Sequence, residues 1–121
     1  MDILKQLGKR IIFFEGGMGS ILQQNELAPG ELPEVWNVEK PEFILNVHRD
    51  YLKAGCDIVK TNTFGANSIK MEDSGYTAKE LIEKAVSIAK QAVNENGHGL
   101  VAMDIGPTGK LLRPLGDLEF D

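Results

Sequence analysis

At 121 residues, 42% hydrophobic and 26% charged, the chain has the size and balance of one small globular domain spanning residues 1–121. A net charge of −5 without any basic cluster argues against nucleic acid as a partner, and no apolar stretch is long enough to span a bilayer. A single cysteine excludes an internal disulfide framework, and Met1 to Gln6 lack the apolar core of a secretion signal, so a cytoplasmic setting is expected.

Residues 3–7 read as a short leading helix stopped by Gly8. Residues 11–14, Ile-Ile-Phe-Phe, read as a buried strand. Glu15 follows at once, and then three glycines in four residues, Gly16, Gly17 and Gly19. Glycine allows a sharp turn and close approach of the backbone to a ligand. A carboxylate beside bare N–H groups suits a small zwitterion, since the acid can meet an ammonium and the N–H groups a carboxylate. Plain turn chemistry explains such a segment equally well. Residues 20–24 read as a short helix. Residues 25–38, with Pro29, Gly30 and Pro33, read as a long loop, a type of segment that is often functional.

Pro41 suits the first turn of a helix, where its missing N–H is not needed. Phe43, Ile44, Val47, Tyr51 and Leu52 recur at helical spacing until Gly55 ends the run. Ile58-Val59 opens a second strand leading into Thr61-Asn62-Thr63. Residues 68–73 read as a helical turn closed by Gly75. Thr77 and Glu80 have the form of a capping box, and Leu81, Ile82, Ala85, Val86, Ala89, Ala92 and Val93 form an apolar stripe behind it, stopped by Gly97. Residues 100–103 read as a third strand running into Asp104-Ile105-Gly106-Pro107-Thr108-Gly109, and residues 110–121 as an extended loop. Short apolar strands alternating with helices predict an α/β fold with a parallel sheet.

Each strand ends at its carboxyl edge in polar residues and glycine: Glu15-Gly16-Gly17, Lys60-Thr61-Asn62-Thr63 and Asp104 to Gly109. Parallel α/β folds bind ligands at these ends, so the three together predict the floor of one mouth. His48 reads as a satisfied surface or boundary histidine, His98 as solvated, and Trp36 as a core residue. Cys56 reads as a small buried residue and not a nucleophile. With no second cysteine and no neighbouring histidines, the chain assembles no metal site of its own.

At these same strand ends the sequence resembles the homocysteine S-methyltransferase family, and within it the amino-terminal module of cobalamin-dependent methionine synthases. The likeness is carried by Phe14-Glu15-Gly16-Gly17-Met18-Gly19-Ser20, by Lys60-Thr61-Asn62-Thr63-Phe64-Gly65-Ala66-Asn67, and by Asp104-Ile105-Gly106-Pro107-Thr108-Gly109. Tyr51 to Asp57 and Pro114 to Leu118 extend it over nearly the whole chain. The resemblance implies a (β/α)8 TIM barrel, of which this chain supplies the first three βα units. It implies methyl transfer to the thiolate of homocysteine, giving methionine. It also implies zinc held by three cysteine thiolates in later strands, and methylcobalamin, betaine or S-methylmethionine as methyl donor. A zinc-bound thiol is favoured as the thiolate that attacks the methyl carbon.

Carried onto this sequence, Glu15 would meet the ammonium of homocysteine, Gly16 and Gly17 would offer N–H groups to its carboxylate, and Asn62, Asp104 and Thr108 would line the mouth. The family usually has Asp where this chain has Glu15, so the longer side chain must retract or shift the ligand. Lys60 also departs from the family pattern: it either pairs with Glu15 or Asp104 or extends to solvent. A full barrel needs about 250 residues. The implied partners are therefore homocysteine, the remainder of the barrel, and corrinoid or folate modules. The isolated chain is expected to be inactive and to self-associate through an uncovered strand edge and apolar faces. Two further readings compete: a non-catalytic module binding an amino acid or phosphate, and a self-assembling fragment. No Lys-Ser/Thr pair follows the glycines, which argues against a P-loop.

Overall fold

The sheet is short because its apolar runs are short. In the computed structural model, which describes residues 1–121, β1 (Ile58–Lys60) pairs in parallel with β2 (Leu100–Ala102), and Val59 faces Val101. The predicted first strand joins the other edge of β1 through one parallel bridge, Phe14 to Ile58. The Asp57 and Ile58 N–H groups donate to the Phe13 carbonyl at 2.8 and 3.1 Å, and the Glu15 N–H donates to Ile58 at 2.7 Å. The expectation of a buried strand at 11–14 is corrected, since Ile11 is 72% exposed and Phe13 and Phe14 are more than half exposed. The segment has a partner on one edge only, and no other part of the chain covers these side chains. β1 is thus the central line, and its Val59 is fully buried.

The chain forms four helices, α1 (Gly19–Gln24), α2 (Trp36–Glu39), α3 (Pro41–Lys53) and α4 (Ala78–Asn96), of which α3 and α4 pack on the sheet. The expected loop at 25–38 is partly ordered by a 3-10 turn, Pro33–Val35, which runs into α2. The expected leading helix shrinks to a 3-10 turn, Ile3–Lys5. α3 begins at Pro41 and ends just before Gly55, whose φ of +104° a side chain would disfavour. It connects the first extended segment to β1, and α4 connects β1 to β2. No helix is long and apolar enough to cross a membrane.

The core lies where α3, α4 and β1 meet. Ile44, Leu45 and Leu52 of α3 are buried there with Val59 and with Ile88, Ala89 and Ala92 of α4. The alanines allow close helix approach. Outside this core, Arg49 of α3 donates to Glu95 of α4 at 2.7 and 3.0 Å. Trp36 is 1% exposed and meets the Phe43 ring edge-on at 5.2 Å, as a core residue should. Cys56 is likewise buried, at the entry to β1. Burial, and then the Glu15 and Asp57 charges, push its thiol above the usual value.

Candidate functional site

A cavity of about 320 Å³ opens at the carboxyl ends of the first extended segment and of β1, with Asp104 beyond β2 on its wall. Glu15, Gly16, Asn62 and Asp104 line it. Gly17 and Thr108 do not. The Gly17 carbonyl instead accepts a hydrogen bond from the Tyr51 hydroxyl at 3.1 Å, and the Thr108 hydroxyl closes a local turn with Lys110. Glu34, which no strand-end position marks in the sequence, also lines the cavity together with Lys60 and Lys70.

Glu15 is only 4% exposed, and both of its oxygens are engaged. Oε1 accepts from His48 Nδ1 at 2.7 Å, and Oε2 accepts the backbone N–H of Lys60 at 2.8 Å. Lys60 thus reaches Glu15 through its main chain and not its ammonium. His48 is fully buried, which corrects its reading as a surface or boundary residue. The face of α3 that carries it packs beneath the glycine turn, and helical spacing alone did not reveal that.

Glu34 is 3% exposed. Its Oε1 accepts the Gly65 N–H at 2.6 Å, while Oε2 has no partner. A buried carboxylate oxygen without a partner is costly, so Glu34 has unused capacity for a donor. A Cβ on Gly65 would stand 3.0 Å from Oε1, so glycine keeps this contact open.

Asn62 lines the cavity but spends its side chain on the framework. Its Nδ2 donates to the Pro33 carbonyl at 2.8 Å and to Asn37 Oδ1 at 3.0 Å, and Asn37 returns a bond to the Asn62 carbonyl at 2.8 Å. Asp104 is fixed through its backbone. Its N–H donates to Thr61 Oγ1 at 3.2 Å, and its carbonyl accepts from Thr63 Oγ1 at 2.6 Å. The two hydroxyls lie 2.6 Å apart. Each hydroxyl has one proton and that of Thr63 is committed to Asp104, so Thr61 donates to Thr63. The result is a closed ring of bonds between the ends of β1 and β2.

Three acids, Glu15, Glu34 and Asp104, and two lysines, Lys60 and Lys70, therefore share one mouth with the Gly16 backbone. Both signs at close quarters match a small zwitterion better than a simple anion. No group of three or more His, Cys, Asp or Glu side chains is placed to hold a metal ion. The residues present do not fit zinc held by thiolates.

The model of the homocysteine S-methyltransferase family matches residues 12–121. The chain belongs to that family. It is 31% identical over 131 aligned positions to the methionine synthase of Mycobacterium tuberculosis, and equally so to that of Mycobacterium leprae. In each case the match covers 98% of this chain and 11% of the relative. Among solved structures, the homocysteine methyltransferase MmuM from Escherichia coli in its metallated form superposes with a TM-score of 0.73 at 30% identity. That match covers 87% of this chain and 41% of MmuM. The chain thus spans under half the length of these relatives. Membership of the family and its α/β architecture of parallel strands are shared with them.

Proposed function

We propose that this chain forms part of the substrate mouth of a homocysteine S-methyltransferase and seats the amino-acid end of homocysteine. The observation that carries this reading is the cavity at the strand ends, with acids and lysines on its walls, in a chain whose family is shown from residue 12 onward. In this reading the chain supplies the opening βα units of a (β/α)8 barrel. Glu15 and Glu34 accept hydrogen bonds from the ammonium group, and the Gly16 N–H and the two lysines face the carboxylate. The thiol end lies towards the rest of the barrel. There a new S–CH3 bond forms as the donor–CH3 bond breaks, and the thiol proton leaves to solvent. Zinc held by cysteines, and a donor such as methylcobalamin, belong to other parts of the protein.

The test is calorimetric titration of homocysteine into the full-length protein, with Glu15→Gln and Glu34→Gln variants alongside. A charge-assisted hydrogen bond is worth roughly 1.5–3 kcal/mol, so each variant is expected to weaken binding about tenfold or more. Unchanged affinity in both variants would overturn the assignment of this mouth. Turnover assays with methylcobalamin, betaine and S-methylmethionine then identify the donor.

A further inference from the structure

We propose that His48 is a positioning residue: it fixes the direction of the Glu15 carboxylate at the floor of the mouth, a role that rests on the function proposed above. Both side chains are buried, at 0% and 1% exposure, and stand 2.7 Å apart, with Glu15 at the cavity floor. They come from elements 33 residues apart in the chain, so this pair is tertiary and not a local turn. A free glutamate side chain samples many rotamers. Here one oxygen is held by α3 and the other by the Lys60 N–H, which leaves one orientation. An ionised carboxylate has about four lone-pair sites, so two remain for an incoming ammonium.

His48 is committed to this task alone. Its Nε2 is buried and has no partner. A buried N–H without an acceptor costs more than a bare ring nitrogen, so the proton belongs on Nδ1, where it points at Glu15. One turn further along α3, Tyr51 holds the Gly17 carbonyl at 3.1 Å. The helix therefore grips the glycine turn at two points, one on the acid and one on the backbone. Direction matters because a charge-assisted hydrogen bond weakens steeply away from its preferred angle. The residue needed is a short planar donor on a rigid stem, which histidine supplies.

The experiment compares homocysteine with its des-amino analogue, mercaptobutanoate, by calorimetry on the full-length protein. In His48→Asn the amide nitrogen stands where Nδ1 stands, and in His48→Gln it stands where Nε2 stands. His48→Asn is expected to bind homocysteine within about threefold of the wild type. His48→Gln is expected to lose about tenfold or more for homocysteine while mercaptobutanoate changes by less than about twofold, because only one ligand carries the ammonium. Equal losses for both ligands, or none for either, would make His48 a packing residue and overturn the proposal. A wild type that binds neither ligand would instead overturn the site itself. A second measurement needs no variant: the His48 ring nitrogen resonances should show a protonated Nδ1 that shifts on adding homocysteine and not on adding mercaptobutanoate. A ring protonated only at Nε2 would refute the role.

Discussion

Gly16 has no room for a side chain. A Cβ there would stand 2.6 Å from the Tyr51 hydroxyl oxygen and 3.0 Å from ring carbon Cε1. Gly16→Ala must therefore push the Tyr51 ring, and with it the bond to Gly17, out of place. The change Tyr51→Phe removes the nearest clashing atom. A double-mutant cycle on unfolding free energy is expected to show Gly16→Ala costing less in the Tyr51→Phe background, with a coupling of roughly 0.5–3 kcal/mol. Additive costs would mean that the ring moves aside freely. Asp57 offers a second test, in pH. Hydrogen bonds from Arg10, then from the Phe13 N–H, hold its carboxyl down to about 2. A group depressed in the folded state stabilises above its unfolded pKa, and that stability is lost as pH falls through the folded value. Wild-type stability should therefore drop between about pH 4 and pH 2, where acid scans of Asp57→Asn should be flatter. Parallel acid profiles for the two proteins would remove Asp57 from the account.

Among the elements, α4 states its own limits. The Thr77 hydroxyl accepts the Glu80 N–H at 3.1 Å, and Glu80 returns to the Thr77 N–H at 2.9 Å. Gly97 closes the other end in the left-handed region, at φ +81°. Thr77→Ala should cost about 1 kcal/mol of stability, read from denaturant unfolding. Leu81→Ala, which empties a fully buried position in the first turn of the same helix, should cost roughly 2–5 kcal/mol. A ranking in the opposite order would mean that capping and not burial holds α4. These local signals explain why α3 and α4 were legible in the sequence: Pro41, Gly55, Thr77 and Gly97 act within a turn of their own positions. The residues at 11–14 were legible as extended but not in their burial, because burial depends on what covers them. Glu15, Gly16, Asn62 and Asp104 were legible as lining from their place at strand ends. The commitment of Asn62 to Asn37 was hidden, as were the partners of Glu15 and the presence of Glu34. Each of these depends on a contact more than twenty residues away in sequence.

On the scale of the whole molecule, apolar surface is exposed at both edges of the sheet. Ile11, Phe13 and Phe14 on one edge, and Met103 and Ile105 after the other, are about half exposed or more. β2 also has a ladder partner on only one of its edges. A chain of residues 1–121 in isolation should therefore associate at micromolar concentration, as read by sedimentation velocity, and paired Ile11→Lys and Phe13→Lys changes should shift it towards monomer. A monomeric wild-type chain that unfolds in one cooperative step would count against this. The Glu15–His48 contact has a consequence of another kind. The acid of the mouth is held by a helix, so the seat exists only while α3 is docked. Occupancy and docking are then a single linked equilibrium: ligand at a hundredfold its dissociation constant adds about 2.7 kcal/mol to whatever keeps α3 in place. Slower amide exchange along α3, none of whose residues lines the cavity, becomes a gauge of how full the mouth is.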